Sequence, residues 1–133
     1  MKSQLLKLLF LLSTATFSSL SFGEWVSLGN AKNGTEFYVD FEQMSESKGL
    51  VYWTYLQDNL DPDELGMLSQ IVYMEGNCAN LGVKTLSTSI YKQSMARGSE
   101  EATITKDNAE ITFYASDSMM GYMLQVVCGV YFN

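Results

Sequence analysis

Histidine is absent from all 133 residues. That one gap removes the usual general base, the commonest metal ligand and the usual haem ligand. Serines are plentiful, but none has a histidine to activate it and none sits in a Gly-x-Ser-x-Gly elbow. Cysteine is nearly absent too: Cys78 and Cys128 are the only two, and no Cys-x-x-Cys spacing is present to depress a thiol pKa. Basic residues are scarce, with 8 Lys+Arg against 15 Asp+Glu and a net charge of −7. Such an acidic balance disfavours nucleic acid and anionic membrane surfaces as partners. The single proline, Pro62, stands in a polar stretch, and no internal repeat, low-complexity tract or linker divides the chain.

The apolar runs are short. Lys2 and Lys7 precede Leu8-Leu9-Phe10-Leu11-Leu12, and Ser13, Thr14, Thr16, Ser18 and Ser19 then interrupt the run. It is too short and too polar to span a bilayer as a helix. A basic start, a brief apolar core and small residues at the exit are what a signal peptidase requires. Ser21-Phe22-Gly23 predicts cleavage before Glu24, with Ser19-Leu20-Ser21 as the other site. The expectation is a signal peptide over 1–23 and one mature domain over 24–133. No cysteine follows the apolar core, so a lipid anchor is not expected. In an oxidising compartment, Cys78 and Cys128 are expected to form one structural disulfide. Closing a loop of roughly fifty residues is worth about 4 kcal/mol in the chain-entropy model.

Turn signals cut the mature chain into extended runs. Trp25–Leu28 and Thr35–Asp40 read as strands around Lys32-Asn33-Gly34, a hairpin turn because Asn-Gly accepts positive φ. The same hairpin explains the Asn33-Gly34-Thr35 sequon without glycosylation. Asp40 is placed to cap a single helical turn over Phe41–Met44. Leu50–Gln57 is the strongest strand: Leu50, Tyr52, Thr54 and Leu56 alternate with Val51, Trp53, Tyr55 and Gln57, and both faces are largely apolar or aromatic. A strand greasy on both sides is covered on both or leaves one to a partner. Val51, Trp53 and Tyr55 are the residues we assign to a candidate binding or dimer surface. Met67–Glu75 and Val83–Tyr91 follow as strands, with weaker ones at Ala102–Thr105 and Glu110–Tyr114.

The period changes at the end. Met119, Met120, Met123, Leu124, Val127 and Cys128 recur at spacings of three and four, an amphipathic helix stripe. Ser116 or Asp117 would cap its start and Gly129 would end it. A disulfide would then pin this helix to the sheet. Strands followed by one terminal helix give an α+β fold with an antiparallel sheet. The methionine stripe reads as adaptable core, not as ligands for haem or copper. Asp58, Asp61, Asp63 and Glu64 crowd one loop, but an EF-hand would need a ligand where Leu65 stands and a glutamate where Val72 stands. The loop is a solvated acidic turn. No metal, cofactor or catalytic residue is assigned.

Trp25-x-x-Leu28, Gly34-Thr35-x-Phe37-Tyr38-Val39-Asp40, Val51-x-Trp53, Ser69-x-x-x-Tyr73, Cys78, Leu86-Ser87, Tyr91 with Met95 and Gly98, and Cys128 occur in one order. This pattern resembles the surface-adhesin protein E family of Gram-negative bacteria over nearly the whole mature chain. The resemblance implies a curved antiparallel sheet of about six strands, with a C-terminal helix tethered on its concave face by a disulfide. It also implies adhesion, homodimerisation and a link to haem. The founding member is a lipid-anchored outer-membrane protein that captures host matrix and serum proteins. This chain departs from it in lacking the anchor cysteine and histidine. The function expected is a non-enzymatic exported module, periplasmic or at the cell surface, that binds a protein or pairs with itself. In this reading an acidic loop steers basic partners. The rivals are a structural or accessory envelope protein without a host ligand, and a small enzyme working with two carboxylates.

Overall fold

A computed structural model describes residues 24–132. The signal-peptide expectation over 1–23 lies outside them. The described residues form an open eight-stranded antiparallel sheet followed by one α-helix. The strands are β1 (Trp25–Asn30), β2 (Glu36–Asp40), β3 (Ser45–Ser47), β4 (Leu50–Asp58), β5 (Ser69–Asn77), β6 (Gly82–Tyr91), β7 (Ala102–Thr105) and β8 (Thr112–Phe113), and the helix is α1 (Met119–Phe132). Six strands run in the order β1-β2-β4-β5-β6-β7, while β3 pairs with β4 and β8 with β6. The long meander β4-β5-β6 is thus the middle of the sheet. β2 takes the Tyr55–Asp58 end of β4 and β3 the Leu50–Tyr52 end. β7 and β8 divide the far edge of β6 in the same way.

Local chemistry explains most boundaries. The β1–β2 hairpin closes where Gly34 adopts a φ of 86°, and Ala31 N–H donates to the Thr35 carbonyl at 2.8 Å. Asp40 caps the 3₁₀ turn Phe41–Gln43, its carboxylate accepting from Glu42 N–H at 3.1 Å. Two bulges break strict alternation, at Leu28 in β1 and opposite the Tyr73–Met74 step in β6. Leu28 thereby turns toward the core, where it packs.

Two details of α1 differ from the sequence expectation. Ser118, not Ser116 or Asp117, caps its start: its Oγ accepts from Gly121 N–H at 3.1 Å. Nor does Gly129 end it, because the helix continues through Phe132. A glycine stops a helix only where the chain needs a left-handed turn, and here the backbone keeps its helical course. β3 was not expected as a strand; Ser45-Glu46-Ser47 is exposed throughout and has no apolar alternation to betray it.

The core lies between α1 and one face of the sheet. Met123, Leu124 and Val127 pack on Val39, Val51, Trp53, Tyr55, Val72, Met74 and Val83. Gly76 makes that contact close: a Cβ there would stand 2.6 Å from Leu124 Cδ1 and 2.8 Å from the Trp53 ring. Cys78, just past β5, is bonded to Cys128 on α1 across a Cα separation of 5.8 Å, an ordinary span for a disulfide.

Candidate functional site

The three residues assigned from sequence to an interaction surface are in the core. Val51 and Trp53 are 0% exposed and Tyr55 is 8% exposed. The Trp53 indole N–H donates to Met123 Sδ at 3.2 Å, so α1 lies directly on this side of β4. A partner could meet these side chains only after the helix had left. The expectation that one side of β4 is left without a helix holds, but it is the opposite side.

Cross-strand partners in an antiparallel sheet share a face, and the register therefore names that side. Tyr38 stands beside Leu56, Thr54 beside Tyr73, Tyr52 beside Glu75, and Leu56 beside Ile71. On β6, Ser87 pairs with Tyr73, Ser89 with Ile71 and Lys84 with Glu75. The result is a surface of phenols and hydroxyls. The Tyr52 and Tyr73 rings stack at 6.2 Å with an interplanar angle of 28°, and Tyr73 is 39% exposed.

Two glutamates order this surface. The Tyr52 hydroxyl donates to Glu75 Oε1 at 2.8 Å, and Lys84 Nζ stands 3.7 Å from the other oxygen. Tyr38 donates to Glu36. Donation to Glu36, followed by burial and the charges on Glu36 and Asp58, pushes the Tyr38 phenol up to about 12. Tyr52 is raised as well, first by its hydrogen bond to Glu75. Further along, Ser89 Oγ and Thr103 Oγ1 lie 2.8 Å apart, and Thr103 donates to Glu100 at 3.0 Å.

One end of the face is closed. Asp58 accepts from Ser94 Oγ at 2.9 Å and from Met95 N–H at 2.7 Å. Ser69 Oγ donates to the Gln93 carbonyl and accepts from Ala96 N–H at 2.8 Å. These bonds fold the Ser94–Ala96 turn over the sheet end, where Leu56 is fully buried. They also hold Met95 and Ala96 at φ of 59° and 53°, a region that non-glycine residues seldom occupy.

Within the acidic loop, Asp63 is occupied with the loop's own backbone. Asp63 Oδ1 accepts from Leu65 N–H and Met67 N–H, both at 2.9 Å. No group of three or more acidic or cysteine side chains among the described residues is placed to hold a metal ion. Nor is any helix among them long and apolar enough to cross a membrane.

A model of the family described as surface-adhesin protein E matches residues 25–129. This chain belongs to the surface-adhesin protein E family. The family match begins within β1 and ends one residue after Cys128, so it takes in the whole sheet, the disulfide and most of α1. Solved structures agree on the fold. Haemophilus influenzae protein E in a second crystal form superposes with a TM-score of 0.64 at 18% identity, covering 86% of this chain and 94% of that one. Its selenomethionine form gives 0.61 at 19% identity, covering 85% and 91%. Protein E from non-typeable Haemophilus influenzae gives 0.54 at 18%, covering 83% and 87%. No curated protein matches the chain. Within the protein E fold, the sequence signal that could have separated the two faces of β4 was available in part. Tyr52 and Thr54 carry hydroxyls that need water or a partner, whereas Val51 and Trp53 present surface that gains more from burial.

Proposed function

We propose that this chain is an exported, non-enzymatic binding protein of the cell envelope that takes a protein partner on its helix-free sheet face. The observation that carries this reading is the surface of Tyr38, Tyr52, Tyr73, Thr54, Ser87 and Ser89 opposite α1. Tyrosine with small hydroxyl residues is the composition of protein-recognising surfaces. The rings give wide contact area at little conformational cost, and the hydroxyls adapt their hydrogen bonds. Membership of a surface-adhesin family supports adhesion as the setting, and the basic, apolar, small-residue order of 1–23 supports export. The absence of histidine from the sequence supports binding over catalysis.

The test compares the parent with a Tyr52→Ser, Tyr73→Ser variant for capture of extracellular-matrix and serum proteins. Tyrosines central to an interface are worth about 2 kcal/mol or more each, so losing one weakens capture roughly thirtyfold and losing both weakens it further, up to about a thousandfold if the two add. Unchanged capture by a variant with an unchanged circular dichroism spectrum would refute the proposed face.

A further inference from the structure

The tyrosine face has a chemical sign as well as a shape. The Tyr38 and Tyr52 phenols spend their protons on Glu36 and Glu75, so they offer a newcomer lone pairs and not hydrogens. Both carboxylates keep further lone pairs. Lys84 is the cation beside Glu75, at 3.7 Å and 36% exposed, a spacing and exposure at which an ion pair is weak. Asp58, cross-strand from Glu36 and two residues from the Leu56 that faces Tyr38, adds negative charge at that end. The surface is therefore acceptor-rich and net acidic, on a chain whose overall charge is −7. A second copy laid on it would bring like charge against like.

The two glutamates mark the ends of a track. Glu36 lies opposite Asp58 and Glu75 opposite Tyr52. Those β4 positions are six residues apart, about 20 Å along an extended strand. Tyr38 stands near the first end, and the stacked Tyr52–Tyr73 pair near the second.

We propose that the occupant is a cationic segment of a partner protein, crossing the face from β2 to β5 with arginine or lysine side chains over Tyr52 and Tyr73 and paired with Glu36 and Glu75. This rests on the binding-face reading above and adds the chemistry of the partner. Guanidinium groups suit the site because they donate in the plane to carboxylates and stack flat on phenol rings. The pairing carboxylates are those of the sheet: Asp58 is engaged by the Ser94–Ala96 turn and Asp63 by its own loop, whereas Glu36 and Glu75 keep lone pairs for a newcomer.

The experiment uses the full chain, expressed with its own N-terminal segment, and three ten-residue peptides. One alternates arginine with threonine; the others carry glutamine or glutamate in place of arginine. Calorimetric titration should show binding of the arginine peptide alone, weakening roughly tenfold between 50 and 300 mM salt as the charges are screened. A Glu36→Gln, Glu75→Gln variant should lose at least about tenfold in affinity. A Glu110→Gln, Asp117→Asn variant of equal net charge should stay within about twofold, because both acids are exposed, Asp117 on the helix side and Glu110 beyond β7. Equal binding of the three peptides, or equal losses in the two variants, overturns the proposal. If the arginine peptide fails to bind while Tyr52→Ser, Tyr73→Ser abolishes protein capture, the cationic partner is wrong and the binding face stands. If capture ignores the tyrosines, the face is wrong and the cationic partner falls with it.

Discussion

Replacing Cys78 and Cys128 together by alanine removes the one covalent tie between α1 and the sheet. The bridge joins residues 50 apart in sequence. Releasing a loop of that length returns about 4 kcal/mol of conformational freedom to the unfolded chain at 25 °C. Small domains are stable by only about 5–15 kcal/mol, so this is a large share of the total. Alanine is the right replacement because Cys128 is 9% exposed, and a serine there would add a polar group to the core. Urea unfolding followed by tryptophan fluorescence reads the effect, since Trp53 is fully buried beneath Met123. With an m-value of about 1–3 kcal/mol/M, the midpoint should fall by about 1.3–4 M. The m-value reports on α1 separately. A helix that stays docked by Met123, Leu124 and Val127 leaves m at or above the parent value, because the unfolded chain without its crosslink exposes more surface, whereas a detached helix lowers m. A midpoint within about 0.3 M of the parent with no change in m would refute the loop-entropy reasoning, which requires both a lower midpoint and a freer unfolded chain.

Three further outcomes follow from the geometry. Gly76→Val should cost about 1–3 kcal/mol and loosen α1, because its side chain would collide with Leu124 and Trp53; thermal melting and Trp53 emission would record it. Tyr38 and Tyr55 should ionise near pH 12, Tyr38 chiefly through Glu36 and Tyr55 chiefly through burial. Their folded values lie above the ordinary 10, so the stability they contribute is whole below pH 10 and is lost as pH climbs from 10 to 12. Absorbance titration should show Glu36→Gln drawing Tyr38 back toward 10 while Tyr55 stays. Asp58→Ala should release the Ser94–Ala96 turn by removing the acceptor for Ser94 Oγ and Met95 N–H, at a cost of about 1–3 kcal/mol; amide exchange at Met95 and Ala96 should accelerate.

Local signals determined much of this protein before any tertiary contact was known. The Asn33-Gly34 turn, the Asp40 cap, the alternation of Leu50–Gln57 and the three-and-four spacing from Met119 to Cys128 each report a preference settled within a few residues. The short strands were harder. Ser45–Ser47 is held by its pairing with Leu50–Tyr52, and nothing in its own side chains announces that. The Ser94–Ala96 turn was equally hidden, because its left-handed residues are held by Asp58 and Ser69, 27 to 37 positions away in sequence.

The choice of face on β4 belonged to the tertiary structure. Within the strand both sides are apolar or aromatic, so alternation shows that two faces exist without saying which one α1 takes. The answer comes from the neighbouring strand. Val72, Met74 and Gly76 lie on the side of Trp53, and Ile71, Tyr73 and Glu75 on the side of Tyr52. Gly76 leaves the space that Leu124 fills, while Glu75 keeps the other side hydrated. Burial free energy is summed over a whole face, and the register that assembles the face is set only when the strands pair.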